Sequence, residues 1–228
     1  MRSRQLNADG QRLAEAMRIA MRTVHSAIED IKNDTLCGSF RWTSTWNASL
    51  IAISAIEKLL EEHPKIEPQM LNFEPGTCVG SLHRGEVDLV LMNEGVDIEG
   101  ISSTLVFKQD HSVFCSPDHA FASRKNLTLE DLAEEKFAAP IQNENGFFSD
   151  GWPQDRPRKV TMQFTQMESG YQACLAGYLL AVLPNNAARG LVPIVKLATQ
   201  RKIYAIHRET LSKGPAEHMV RLLKNNLL

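Results

Sequence analysis

The sequence predicts an α/β protein of two lobes that follow a long N-terminal helix. Strand-like and helix-like segments alternate from Gly38 onward, in two successive units of about 75 residues each, as expected for parallel sheets covered by helices. Before Gly38, apolar residues instead recur in steps of four and three, which is typical of a helix with a narrow apolar seam.

The N-terminal helix is predicted to begin after the capping residue Asn7 and to run from about Ala8 to Ile31. At 1.5 Å per residue it would be ~36 Å long. Its seam consists of Leu13, Met17, Ala20, Val24, Ala27 and Ile31. The seam either packs on the chain's own body or pairs with the same helix of a second copy. Its narrowness favours the second interpretation, a dimerising helix.

In the first unit, the pattern predicts strands at Ser39–Thr43, Ile66–Phe73 and Val87–Met92, and helices at Trp46–Glu62 and Thr77–His83. The first of these helices is expected to face the sheet through Leu50, Ile53, Ile56 and Leu60.

In the second unit, strands are predicted at Ser112–Cys115, Lys136–Pro140, Lys159–Gln166, Tyr178–Leu183 and Lys202–His207. Helices are predicted at Thr128–Glu135, Ser169–Ala176 and, closing the chain, Pro215–Leu227. The run GFFSDGWPQDRPRK is expected to be an irregular exposed loop because of its Gly, Pro and Asp residues.

Composition is that of a soluble globular protein, with 43% hydrophobic and 23% charged residues. The net charge of −2 argues against strong nucleic-acid binding by this chain alone. No signal peptide and no apolar run of membrane-spanning length is found, so we expect a cytoplasmic location and no membrane partner. The four cysteines form no CxxC or CxxH pair, which predicts reduced thiols and no zinc site.

Three consecutive hydroxyl residues, Thr43, Ser44 and Thr45, lie between a predicted strand and the helix that follows it. Ligands of open α/β sheets bind outside the carboxyl ends of the strands, where helix N-termini begin. One hydroxyl could simply cap the helix. Three exceed that need, so the stretch also predicts a site for a small polar ligand, for example an anion.

Other predicted strand ends could converge on the same cleft. Thr77 precedes the second helix, Asn93 follows the buried strand, and Pro140, Ile141 and Gln142 follow a strand of the second unit. Glu94 would repel an anion, so either its side chain points away or the ligand carries an amine.

Catalysis is not predicted. None of the seven histidines has the spacing of a Ser-His-Asp triad or a metal site, and His63 before Pro64 fits a helix end. We therefore expect no enzymatic activity, no cofactor and no metal.

Several segments together resemble the LysR-type transcriptional regulators. RSRQLNADGQRLAEAM is similar to the family's Leu-Thr-x-Ala-Gly and linker helix, and GTCVGSLHRGEVDLVLM to its Leu-x-x-Gly-x-Leu-Asp-Leu stretch. CSPDHAFASRKNLTLEDLAEEKF resembles the Pro-x-His-Pro-Leu segment, and MESGYQACLAGYLLAVLP the stretch ending in Gly-x-Gly-Ile-Ala-x-Leu-Pro. Tyr178 replaces the second glycine of that last pattern.

The resemblance implies a two-lobed, periplasmic-binding-protein-like (type 2) fold. It would comprise a linker helix over residues 1–34, lobe I over 36–113 and 207–228, and lobe II over 114–206. A small effector would bind between the lobes at the positions matching Thr43, Ser44, Thr45, Thr77, Asn93, Pro140, Ile141 and Gln142. Self-assembly would use the linker helix and the lobes.

The resemblance also implies control of transcription through a DNA-binding domain. Most of that domain, about 60 residues, is absent from the sequence, so this chain is not expected to recognise an operator by itself. A solute-binding protein of a transport system would share the fold and is the alternative. The absence of a signal peptide and the seam of the first helix favour the regulator.

Overall fold

The computed structural model describes residues 6–33, 36–44, 48–73, 75–142, 146–209 and 214–225. The chain forms two compact units. The first comprises Met1–Phe107 and Ile203–Leu228, and the second comprises Lys108–Lys202. Each unit holds one five-stranded sheet, so the α/β fold class is confirmed.

The helices are α1 (Ala8–Asn33), α2 (Ser49–Glu62), α3 (Cys78–His83), α4 (Met167–Leu175) and α5 (Pro215–Asn225). The strands are β1 (Cys37–Ser44), β2 (Lys65–Met70), β3 (Leu89–Met92), β4 (Ile101–Gln109), β5 (His111–Cys115), β6 (Lys136–Pro140), β7 (Lys159–Phe164), β8 (Leu180–Pro184), β9 (Val192–Lys196) and β10 (Arg201–Arg208). Among the described residues, no helix combines the length and apolarity needed to cross a membrane.

The sheet of the first unit has the strand order β2-β1-β3-β10-β4. β1 runs parallel to both β2 and β3, whereas β10 runs antiparallel to β3. Phe40, Leu89 and Leu91 are fully buried on these strands, as expected for strands covered on both faces. The sequence therefore predicts the position of this parallel core.

Helix α2 packs on the sheet with a face that matches the predicted one only in part, since Ile56 and Leu60 are partly buried against the core. Its buried residues are Ile51, Ala52, Ala55 and Leu59, whereas Leu50 and Ile53 are 40% and 52% exposed. The predicted face of α2 was chosen from its large apolar side chains. The helix instead places two alanines against the sheet, because small residues let the two backbones approach closely.

The sheet of the second unit has the order β7-β6-β8-β5-β9. All residues of β5 and β8 are buried, and Phe137 and Leu180 lie in the core between the sheet and its covering segments. Gly177 follows α4 with φ +90°, and its N–H donates to the carbonyl of Cys174 at 3.0 Å. This left-handed geometry is the common glycine ending of an α-helix.

Three strands and one helix differ from prediction. The strand predicted at Lys202–His207 was expected in the second unit, but β10 pairs with β3 in the sheet of the first. β4 and β9 were not predicted, because β4 contains the polar run Ser102, Ser103 and Thr104 and β9 contains Pro193. The helix predicted at Thr128–Glu135 is only a 3-10 turn, Glu130–Leu132. Asp131 nevertheless accepts hydrogen bonds from the N–H and hydroxyl of Thr128, both at 2.8 Å, so the local capping contact forms without the helix.

Helix α1 extends to Asn33, and the side chain of Asn7 accepts a hydrogen bond from the N–H of Gly10 at 2.8 Å, which confirms the predicted cap. Leu13, Met17 and Val24 are 62%, 55% and 57% exposed. Ala20 is exposed as well, so the chain's own body does not cover these four seam residues. The side chains of Ala27 and Ile31 lie outside the described residues.

Candidate functional site

Strand β1 ends in the hydroxyl residues that the sequence singled out. Thr43 and Ser44 pair in parallel register with Val90 and Leu91 of β3. Parallel neighbours end at the same edge of a sheet, so Asn93, which follows β3 and is half-buried, belongs to this edge too. The first unit thus brings two hydroxyls and one amide to the carboxyl ends of its parallel strands.

The two hydroxyls of β1 are enclosed. Thr43 is fully buried, and neither its Oγ1 atom nor the Oγ atom of Ser44 has a hydrogen-bond partner within the described part of the chain. Leaving a buried hydroxyl unpaired costs about 1–3 kcal/mol, and native proteins usually satisfy such groups with water or a ligand. Thr45 lies outside the described residues, so its predicted contact stays a prediction.

Capping of α2 does not account for Thr43 and Ser44. The helix begins at Ser49, and Ala48 occupies its N-cap position with no side-chain cap. The first turn of α2 contains no acidic residue, so no carboxylate within the turn offsets the partial positive charge of its N–H groups. Neither Thr43 nor Ser44 is therefore the hydroxyl that caps this helix.

Thr77 lies at the N-cap position of α3, at the end of the 3-10 turn Pro75–Thr77. It is exposed. The preceding strand β2 ends beside β1, because Met70 pairs with Trp42 and the N–H of Leu71 donates to the carbonyl of Trp42 at 2.9 Å. Thr77 therefore follows the end of a strand that is parallel to β1.

In the second unit, Pro140 is the last residue of β6 and is buried, whereas Ile141 and Gln142 are exposed just beyond it. The N–H of Ile141 donates to the carbonyl of Phe164 at 2.9 Å. Because β6 and β7 are parallel, these residues lie at the carboxyl ends of two neighbouring strands. Glu94 of the first unit is exposed.

The loop that precedes β7 is less exposed than predicted. The side chains of Asp150 and Arg158 are 1% and 2% exposed and form an ion pair at 2.8 Å. The Arg158 guanidinium lies 4.8–5.5 Å from the ring centres of Phe137, Phe148 and Trp152. Burial lowers the pKa of Arg158, and the neighbouring Asp150 carboxylate opposes that change. The pair therefore anchors the loop from within. The polar composition of the loop did not predict this burial.

The four cysteines are free thiols, as predicted. Burial raises the pKa of Cys115, and it raises that of Cys174 to about 12. Cys174 donates a hydrogen bond to the carbonyl of Phe114 at 3.2 Å. Both thiols therefore stay protonated at neutral pH and are poor nucleophiles.

Within the described residues, one group has the composition of a metal site: Glu62, His63 and His218, whose ligand atoms all lie within 4.8 Å of one another. His218 is far from the other two in sequence, so spacing alone could not reveal the group.

Residues 43–227 match the LysR substrate binding domain family. The chain therefore belongs to this family, the effector-binding domain of LysR-type transcriptional regulators, and not to the transport proteins that were the alternative. Among curated proteins, the HTH-type transcriptional regulator MetR of Escherichia coli K12 is 28% identical over 92 residues, which cover 39% of this chain. The match spans 28% of the length of MetR.

Solved structures share the fold. CbnR, a LysR family transcriptional regulator, superposes with a TM-score of 0.71 at 14% identity, covering 98% of this chain and 82% of CbnR. The CcmR regulatory domain of Synechocystis, in complex with 2-PG, gives 0.64 at 17% identity over 83% of this chain and 97% of that one. A sulfate-bound variant of the OxyR2 regulatory domain of Vibrio vulnificus gives 0.66 at 18% identity, over 84% and 97%.

Proposed function

We propose that this chain senses a small polar effector and assembles with copies of itself to control transcription. DNA recognition would belong to a separate helix-turn-helix domain, since MetR is named as a regulator of that type. The chain itself would carry no enzymatic activity and would work in the cytoplasm, where the DNA is. The division into a linker helix over residues 1–34, lobe I over 36–113 and 207–228, and lobe II over 114–206 is part of this proposal.

The observation that carries the effector site is the pair of enclosed hydroxyls at the end of β1. The Oγ atoms of Thr43 and Ser44 have no hydrogen-bond partner among the described residues. They lie at the strand edge where α/β proteins bind ligands. The first turn of α2, which begins just beyond them, adds N–H groups and no carboxylate.

The effector class that fits these groups is a small oxygen-rich compound, in particular an anion with carboxylate or phosphate oxygens. Two similar regulatory domains were solved with sulfate and with 2-PG. The proposed contacts are Thr43, Ser44, Thr45, Thr77 and Asn93 of the first unit, and Pro140, Ile141 and Gln142 of the second.

The effector would act by binding one arrangement of the protein more tightly than another. It can shift that equilibrium only by its difference in affinity between the two, and a change from 1:99 to 99:1 needs a difference of about 10⁴-fold. In the assembled regulator, α1 would transmit the change. Its exposed residues Leu13, Met17 and Val24 support a role in pairing.

A thermal-shift screen tests the effector site. The probes are sulfate, phosphate, mono- and dicarboxylates and phosphorylated carboxylic acids, each compared with chloride at equal ionic strength. By mass action, a binder raises the free energy of unfolding by about 2.7 kcal/mol at 100 times its Kd, and the unfolding midpoint rises with it. We expect such a shift in the wild type and its loss in Thr43→Val, which replaces the hydroxyl by a methyl group of similar size.

Ser39→Ala is the matched control, because Ser39 is an exposed hydroxyl on the same strand. It should respond like the wild type. Without a probe, Thr43→Val should be as stable as the wild type or up to about 1 kcal/mol more stable, because the removed hydroxyl has no partner. An equal response of Thr43→Val and Ser39→Ala to the best probe would reject the site.

A further inference from the structure

The C-terminal end of α2 and the first turns of α5 bring together a carboxylate and two imidazoles. Glu62 is the last residue of α2, His63 is its C-cap, and His218 lies on α5. We propose that Glu62, His63 and His218 bind one divalent transition-metal ion of the zinc type. This site lies in the first unit and is separate from the proposed effector contacts.

The geometry of the three side chains is close to that of a coordination shell. The Nε2 atom of His218 lies 2.7 Å from the Oε2 atom of Glu62. The rings of His63 and His218 meet edge-on, with centres 4.8 Å apart and planes at 89°. In a tetrahedral zinc site with bonds of 2.0–2.1 Å, neighbouring ligand atoms are about 3.3 Å apart. The ligand atoms of the three residues already lie within 4.8 Å of one another, so side-chain rotations would bring them to that spacing.

The chemical types of the three ligands favour one class of metal ion. Two imidazoles and one carboxylate suit Zn²⁺ and its neighbours, whereas Mg²⁺ and Ca²⁺ take oxygen ligands. The side chain of His218 is 14% exposed and that of Glu62 is 51% exposed, so the group is anchored on one side and open to solvent on the other. Three protein ligands with a fourth, open position for water complete a common zinc geometry.

Without a metal, Glu62, His218 and Arg221 form a hydrogen-bonded chain. Arg221 donates to the Nδ1 atom of His218 at 2.9 Å, which leaves the Nε2 proton of His218 for Glu62. A metal on Nε2 would move the ring proton to Nδ1 and displace the Arg221 donor. Arg221 is exposed, so it can turn into solvent at little cost.

The proposed ion would tie two helices of the first unit together. α2 and α5 pack against each other through the same core, which includes Leu59 of α2 and Met219 and Leu223 of α5. A ligand that binds only the folded arrangement stabilises it by mass action. Metal binding would therefore fasten the C-terminal helix to the unit, independently of any effector.

The test uses the full 228-residue chain, first stripped with a chelator and then titrated with Zn²⁺ in competition with a chromogenic chelator. We expect the wild type to retain one zinc per chain after gel filtration and to melt at a higher temperature with zinc. His63→Gln and His218→Gln should each weaken zinc binding by at least about tenfold. His83→Gln, an exposed histidine on α3, is the matched control and should bind like the wild type.

Failure of the wild type to retain zinc would overturn the proposal, and so would unchanged affinity in the two folded histidine variants. Circular dichroism monitors their folding. If either variant unfolds, Glu62→Gln at the solvent-exposed ligand and X-ray absorption of the zinc-loaded wild type decide the matter. The absorption spectrum should show two imidazoles in the zinc shell, and a shell without histidine contradicts the site.

Discussion

Asp150 and Arg158 form an ion pair of 2.8 Å whose two side chains are almost completely buried. The Arg158 guanidinium lies 4.8 Å from the ring centre of Phe148 and 5.1 Å from that of Trp152, so aromatic faces cover the charge. The pair fixes the loop before β7 to the core of the second unit.

Breaking this ion pair should destabilise the second unit strongly. In Arg158→Met, the Asp150 carboxylate is left buried without its partner, and the loss of such a partner costs about 3–5 kcal/mol. The free energy of unfolding, measured with urea, should fall by that amount. Asp150→Asn with Arg158→Met removes both charges, and we expect the double variant to be more stable than Arg158→Met alone. Equal stabilities of the single and double variants would show that the charges do not interact.

Charges on the exposed seam of α1 should disrupt self-assembly without unfolding the chain. Leu13 and Met17 are 62% and 55% exposed, so Leu13→Glu with Met17→Glu removes little packing within the chain. Light scattering should show dimers or larger assemblies for the wild type and monomers for the variant, because helix pairing buries an apolar seam. Gln11→Glu adds a charge at an exposed position outside the seam and is the control. An unchanged mass for the seam variant would remove α1 from the interface.

Gly85 is one of the places where the first unit closely approaches α1. Its φ is +65°, and a Cβ atom at this position would collide with the side chain of Ile19. We expect Gly85→Ala to lower the unfolding free energy by more than the roughly 1 kcal/mol caused by the backbone alone. Gly38→Ala isolates the backbone effect, because Gly38 has φ +87° and no atom near its would-be Cβ. A similar loss of unfolding free energy in both variants would mean that α1 moves away from the added Cβ atom without lowering stability.

His111 should make the protein less stable in acid. Burial lowers its pKa from 6.5 to about 4, although the Gln109 carbonyl that its Nδ1 faces opposes the change. Between those pH values the unfolded chain binds a proton that the folded chain rejects. The contribution of the neutral His111 ring to the free energy of unfolding is therefore fully present above pH 6.5. It falls by about 3 kcal/mol as the pH decreases from 6.5 toward 4. Other groups also titrate, so the measurement is the difference from His111→Phe, whose unfolding free energy should change less over this range.

The alternation of strands and helices could be predicted from the sequence, because buried parallel strands are short apolar runs and the helices between them are amphipathic. β3, with Val90 and Leu91, and β8, with Val182 and Leu183, are of this kind. β4 was missed because its half-buried polar residues hide the strand pattern. The predicted face of α2 was wrong in part, because Ala52 and Ala55 are buried whereas Leu50 and Ile53 are exposed.

The candidate site was predictable only in part. Position along the chain places Thr43, Ser44 and Asn93 at strand ends, because Thr43 and Ser44 end β1 and Asn93 follows the apolar strand β3. The absence of a hydrogen-bond partner for a hydroxyl depends on packing, which no local pattern encodes. The same holds for His63 and His218, which the fold alone brings together. The predicted effector contacts at Thr45, Thr77, Pro140, Ile141 and Gln142 stay predictions.

A crystal structure of the chain with the strongest anion from the thermal-shift screen tests the central claim most directly. We predict that an oxygen of the ligand lies about 2.6–3.0 Å from the Oγ1 atom of Thr43 or the Oγ atom of Ser44. A ligand bound elsewhere, with both hydroxyls satisfied by water or by the chain itself, would contradict the proposed effector site.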